Sequence, residues 1–206
     1  MSTPILRDGP TEAPATIVLA HGAGAGMDHT FLATVAKGLA AAGFAVVRFE
    51  FPYQHDTRNG MRRAPDRLPV LQESMRDVVR EHAVAPIVLA GKSMGGRIAT
   101  TIADELGVAG VVVFGYPFHP PRKPEQLRTA HLAKLATPTL ILQGERDPFG
   151  TPPEVAGYTL SPAIEVVWLP DGDHSLAPRK RSGFTAEAHL ATAIERTVAF
   201  VAAVTQ

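Results

Sequence analysis

Six short runs of β-branched and apolar residues constrain this 206-residue chain more than any other feature: Ala15–Ala20, Phe44–Phe49, Pro86–Ala90, Val108–Phe114, Pro138–Leu142 and Ile164–Leu169. They are mostly continuous rather than alternating, the pattern of strands buried on both faces of a parallel sheet. Segments of helical period lie between them: Thr30–Ala42, closed by Gly43, then Leu68–His82, Gly95–Leu106 and Thr185–Val204. The βαβα order predicts an α/β fold, a mostly parallel sheet with helices on both faces. No repeat or low-complexity tract breaks the chain, so residues 1–206 are expected to form a single domain. Two irregular stretches follow predicted strands. Pro117–Pro124 is proline-rich and reads as an excursion from the sheet, and Phe51–Asp66, long for a connection, carries Arg58, Arg62 and Arg63.

The stretch Ala90–Ala99, AGKSMGGRIA, has two parsings. A phosphate-binding loop needs a glycine five residues before Gly91, because its backbone must curl around the phosphates. Pro86 stands there, and Ile-Val-Leu-Ala between them is strand. The other parsing, Gly91-Lys92-Ser93-Met94-Gly95 between a strand and a helix, is the G-x-S-x-G turn that lifts a serine hydroxyl above the sheet edge. Such a serine needs a base and an acid to orient that base, expected later in the chain after successive strands. Asp147 follows the run ending at Leu142, with Glu145 as the alternative acid, and His174 follows the run ending at Leu169. The oxyanion donors are expected at the N–H of Met94 and in the glycine-rich loop His21–Gly26. That loop is not a dinucleotide site: G-x-G-x-G lacks the G-x-G-x-x-G spacing, and only Glu50 stands near a suitable strand end. His21, at the end of a strand, reads as a structural residue that shapes the loop. His82 and His189, in helical segments, read as surface residues.

Composition narrows the partners. Lys+Arg and Asp+Glu are 20 each, so no net charge draws the chain to nucleic acid or a membrane surface. No run approaches a membrane span and the N-terminus carries no signal-like pattern, which predicts a soluble, unprocessed, cytoplasmic protein. With no cysteine there is no disulfide or thiolate, and no histidine pair has zinc-motif spacing; no metal and no cofactor is expected. The expected partner is a small-molecule acyl substrate, and the sequence carries no signal for an oligomeric state.

Taken in order, HGAGAG, GKSMGG, GERDP and GDHS resemble the α/β-hydrolase superfamily from about residue 15 to the end. GKSMGGR with FGYPFHPP and RFEFPY is similar to a small, lidless, dienelactone-hydrolase-like subfamily. The resemblance implies Ser93 as nucleophile, Asp147 as acid, His174 as base, and the amides of Ala23 and Met94 as oxyanion donors. It implies a minimal fold with no lid domain and leading antiparallel strands reduced or absent. Dienelactone hydrolases themselves use a cysteine nucleophile, which this chain lacks. The expected activity is hydrolysis of an ester or related acyl bond through an acyl-serine; the rival is a non-catalytic interaction protein, since eukaryotic relatives of the subfamily include a subunit of a chromatin-acetylating complex. Substrate contacts are expected from Arg58, Arg62 and Arg63, which could hold an anionic group, and from Tyr116; the plainer reading of the arginines is pairing with acids such as Asp56 and Asp66.

Overall fold

A strand buried along its whole length fits only inside a sheet covered on both faces, and β2 (Thr16–Ala20) is buried at all five positions. Its Ile17 and Leu19 pack into one apolar layer and Val18 and Ala20 into the other. The computed structural model describes residues 3–61 and 63–206. The remaining strands are β1 (Ile5–Asp8), β3 (Ala45–Phe49), β4 (Ile87–Lys92), β5 (Gly110–Phe114), β6 (Thr139–Gly144) and β7 (Ile164–Leu169). Their spatial order is β1-β3-β2-β4-β5-β6-β7, parallel throughout except that β1 runs antiparallel to β3.

Helices α1 (Thr30–Ala41) and α6 (Ala186–Val204) cover one face through Leu32, Val35, Leu39, Ala193 and Val201. Helices α3 (Leu68–His82) and α4 (Met94–Leu106) cover the other through Leu71, Met75, Ile98 and Ile102. The apolar positions recur at three to five residues along each helix, so one stripe is removed from water. Gly107 ends α4 in the left-handed conformation (φ 59°), where a side chain would be strained. Between β5 and β6 the described residues form only one 3-10 turn, Leu132–Lys134, so no lid domain covers the sheet edge there.

Three elements were not named in the sequence reading. One leading strand remains, β1, whose four residues include Arg7 and Asp8 and whose middle is exposed. It is held by Asp8, which accepts from Arg48 of β3 at 2.8 Å. The first half of the stretch Phe51–Asp66 is helix α2 (Pro52–Arg58), with Pro52 in the first turn, where its missing N–H costs nothing. The other additional helix is the single turn α5 (Pro152–Val155).

The sheet reverses its order between β2 and β4. From β2 the chain moves outward to β3, then crosses back to place β4 on the other side. The loops after β2 and β4 therefore diverge, leaving the crevice in which open α/β sheets hold ligands.

Candidate active site

Ser93 stands at this crevice, immediately after β4 and as the N-cap of α4. Its backbone (φ 51°, ψ −112°) lies in the left-handed half of conformational space, costly for a residue with a side chain and stable only where the surroundings impose it. The neighbouring glycines impose it by close approach. A Cβ at Gly91 would lie 2.3 Å from the Gly96 nitrogen, and one at Gly95 would lie 2.6 Å from the His21 carbonyl oxygen. The turn can be this tight only because both are glycine.

The Ser93 hydroxyl lies 2.8 Å from His174 Nε2, and His174 Nδ1 lies 2.7 Å from Asp147 Oδ2. An ionised carboxylate only accepts, so Nδ1 carries the proton and Nε2 turns its lone pair to the serine. Asp147 follows β6 and is fully buried; Phe149 N donates to its Oδ1 at 2.9 Å and Gln143 Nε2 to its Oδ2 at 2.8 Å. Gln143 is fixed in turn by Tyr116 N, which donates to its Oε1 at 2.7 Å. The Phe149 ring lies over the imidazole, 4.2 Å between centroids. Glu145, the alternative acid, accepts from Asp171 N at 2.9 Å, while the bond to His174 belongs to Asp147.

His21 supports the opposite wall. Its Nε2 accepts from Phe51 N at 3.0 Å, so the proton sits on Nδ1, which donates to Gly22 O at 2.7 Å. Burial is the main reason its pKa falls below the ordinary imidazole value, and the ring stays neutral. The glycine-rich loop is thereby tied to the end of β3. Ala23 of that loop and Met94, first residue of α4, both line the cleft at Ser93. The Met94 N–H, in the first turn of a helix, has no partner within that helix.

The cleft has two lobes that meet at Ser93, Ala23 and Phe149. One, about 500 Å³, is lined by Phe31, Leu32, Ala25, Lys92 and His174. The other, about 350 Å³, is lined by Leu68, Leu71, Asp66, Arg97, Pro117 and Arg128.

Several expectations need correction. Arg58 and Arg63 line neither lobe. Arg58 pairs with Glu50 and Asp28, and Arg63 with Asp56 and Asp66, so their charges are met inside the fold. Arg62 lies outside the described residues. Tyr116 is fully buried; its hydroxyl donates to Arg128 O at 2.8 Å and its ring packs on Phe118, which makes it part of the core beneath the cleft. His189 is buried rather than exposed, its Nδ1 2.8 Å from Leu176 O. The sequence reading overlooked Lys92, Arg97 and Arg128. The signal for Arg97 was present, since a residue four after Ser93 lies one helical turn along the same face. Arg128 sits in an irregular segment with no such signal.

Lys92 sends its ammonium inward, 2.6 Å from His174 O, and so holds the backbone that presents the imidazole. Burial pushes its pKa down to about 8 from 10.5, against the attraction of Asp147 and Asp173. Between those values the unfolded chain binds this proton more tightly than the folded one, so folding stability rises as pH climbs through that window. The gain is at most about 3 kcal/mol. Lys92→Met should remove it, which denaturant melts of both proteins at pH 7.5 and 10.5 would show as a smaller alkaline gain in the variant.

Residues 13–202 match the family model described as "Alpha/beta hydrolase domain". Solved structures with the same fold include an alpha-beta serine hydrolase homologue from Coxiella burnetii, 23% identical over 96% of this chain and 89% of that one, TM-score 0.68. A Xanthomonas campestris serine hydrolase described as without lid is 21% identical over 95% and 87%, TM-score 0.66. The esterase domain of a Rhodothermus marinus protein is 17% identical over 98% of both chains, TM-score 0.69. Among the described residues no group of histidine and carboxylate side chains is placed to hold a metal ion, and no helix is long and apolar enough to cross a membrane.

Proposed function

Because the chain belongs to the alpha/beta hydrolase family, we propose that it is a serine hydrolase that cleaves an ester or related acyl bond through an acyl-Ser93 intermediate, with no cofactor. The observation that carries this reading is the continuous line from Ser93 Oγ through the His174 ring to buried Asp147, at 2.8 and 2.7 Å. His174 Nε2 takes the hydroxyl proton as Oγ bonds to the acyl carbon. The carbonyl oxygen becomes an oxyanion, met by the N–H groups of Met94 and Ala23. Collapse of this intermediate breaks the bond to the leaving group, and His174 returns the proton to the departing oxygen. Water then adds to the acyl carbon, giving a proton to His174, and the second collapse frees the acid and restores Ser93. Asp147 keeps the imidazole in the required tautomer and offsets the charge it gains.

The Rhodothermus marinus neighbour is named an esterase domain, which supports an ester as the acyl bond. Both lobes open at Ser93 with no lid among the described residues, consistent with a small soluble substrate reaching the serine directly. A fluorophosphonate should form a covalent adduct on Ser93, because a serine activated for attack on carbon also attacks phosphorus. Intact-mass spectrometry of the wild type and of Ser93→Ala tests this. No adduct in the wild type, or one that survives in the variant, would favour a non-catalytic binding protein.

A further inference from the structure

The lobe beside α4 holds two arginines that form no ion pair among the described residues. Arg97 uses its backbone alone: its N–H donates to Ser93 O at 2.9 Å and its carbonyl accepts from Thr100 Oγ1. Arg128 likewise donates from its N–H to Phe118 O at 2.8 Å and accepts at its carbonyl from the Tyr116 hydroxyl. Neither guanidinium meets a carboxylate among the described residues, whereas Arg48, Arg58, Arg63 and Arg76 each do. Both line the Ser93 cleft and are half-buried. Desolvation first, then the charge of Arg97, holds Arg128 below the usual guanidinium range, so the two groups feel each other. His131, beneath them, is lowered by the same two causes and adds no positive charge near neutral pH. Arg97 also sits in the first turn of α4, where the helix dipole already carries positive character that a cation opposes.

The acid on this wall is Asp66, and it is occupied: Tyr53 N donates to its Oδ2 at 2.9 Å, and Arg63 lies 3.4 Å from its Oδ1. Two guanidinium forks and a helix N-terminus thus face one small lobe at the nucleophile, and an anion there would relieve all three. The other lobe offers the apolar side chains of Phe31, Leu32 and Phe149.

Resting on the serine-hydrolase reading, we propose that the substrate is amphiphilic: an anionic group, carboxylate or phosphate, is held by Arg97 and Arg128, while an apolar portion lies across Ser93 in the lobe beside α1. Charge selection belongs to these two residues and not to Arg58 or Arg63, which are paired with acids. Both are substrate-positioning groups and take no proton in the reaction.

The test compares kcat/KM for matched esters that differ in one anionic group. An acyl-side pair is 4-nitrophenyl hydrogen suberate and 4-nitrophenyl octanoate; leaving-group pairs set 4-acetoxybenzoate and 4-acetoxyphenyl phosphate against phenyl acetate. The wild type should prefer the charged member in at least one pair by about tenfold or more, as for a charge-assisted contact. The pair that shows it locates the anion and tells carboxylate from phosphate. Arg97→Gln/Arg128→Gln should bring that ratio close to one, mainly through KM, while Arg196→Gln, which removes a positive charge on α6, should keep it. As a readout that needs no variant, the wild-type ratio should fall when sodium chloride rises from about 0.05 to about 0.5 M. Equal kcat/KM within every pair, the same ratio in the double variant, or a ratio indifferent to salt would overturn the proposal while turnover of the neutral esters leaves the serine-hydrolase reading intact. Absence of turnover with every ester, together with absence of a Ser93 adduct, would overturn both.

Discussion

Replacing His174 with alanine is expected to lower ester turnover about 10⁴-fold, and Ser93→Ala or Asp147→Asn should each cost a comparable factor. Without the imidazole, no group among the described residues is within hydrogen-bond distance of the Ser93 hydroxyl to take its proton, since His174 Nε2 is the partner at 2.8 Å. Asp147→Asn keeps the shape but changes the chemistry. Its amide could donate to Nδ1, forcing the proton onto Nε2 and turning a donor toward the serine. Neither orientation of the amide fits, because Gln143 Nε2 donates to the Asp147 oxygen that meets the imidazole and Phe149 N donates to the other, so the new NH2 group always faces a donor. The losses should be far from additive, with the double variant Ser93→Ala/His174→Ala scarcely slower than either single one, because the residues act as a unit. Glu145→Gln serves as the control, since its carboxylate is engaged with Asp171 N. Steady-state turnover of one neutral ester by the wild type and these five variants decides the matter. Loss in Glu145→Gln with activity kept in Asp147→Asn would transfer the acid role to Glu145.

The placement of Ser93, Asp147 and His174 was legible because each follows a strand with a strong signal of its own. The runs that became β4, β6 and β7 are apolar and β-branched, and in a parallel sheet all their carboxyl ends point the same way, so residues just beyond them converge. Boundaries shifted by one or two residues where a polar residue extends a strand, as Gln143 and Gly144 extend β6. Strand β1 was harder to see, because Ile5-Leu-Arg-Asp8 is short and half charged and owes its place to pairing with β3. Helix α2 was hidden by proline and glycine around it, although Pro52 suits a first helical turn. The residues that shape the cleft were the least legible. Tyr116 and Arg128 lie in irregular chain, and whether such a residue faces a ligand or the core depends on how the excursion folds back. Tyr116 turned inward to meet the Arg128 carbonyl, and Arg128 turned its side chain to the cleft. Arginines that look alike in sequence were separated by local acids: Arg58 and Arg63 found partners in Glu50, Asp28, Asp56 and Asp66, and Arg97 found none among the described residues.

Arg58→Ala is expected to destabilise the protein by about 3 kcal/mol, the lower end of the cost of breaking a buried ion pair, because the Arg58 side chain is itself 39% exposed. Its partner Glu50 lies at the end of β3 and is only 1% exposed. Glu50 Oε1 accepts from Arg58 Nε at 2.6 Å and from Met27 N at 3.3 Å, while Oε2 has no partner among the described residues. Removing Arg58 leaves a buried carboxylate with one long hydrogen bond. The site is also filled: a Cβ on Gly26 would come within 2.4 Å of Glu50 Oε1 and 2.6 Å of the Arg58 guanidinium, so the glycine-rich loop closes over the pair. Arg58 reaches Asp28 beyond it, pinning the C-terminal end of the segment that carries Ala23. For a chain of this size the loss corresponds to a fall in Tm of about 6–12 °C. Converting Glu50 to glutamine in the same protein should recover part of it, because the neutral amide can still accept from Met27 N and no longer buries a charge. Calorimetric melts of the wild type, Arg58→Ala and Glu50→Gln/Arg58→Ala give the comparison. A Tm unchanged in Arg58→Ala, with KM raised selectively for an anionic ester, would return this residue to substrate binding and take the structural role away from it.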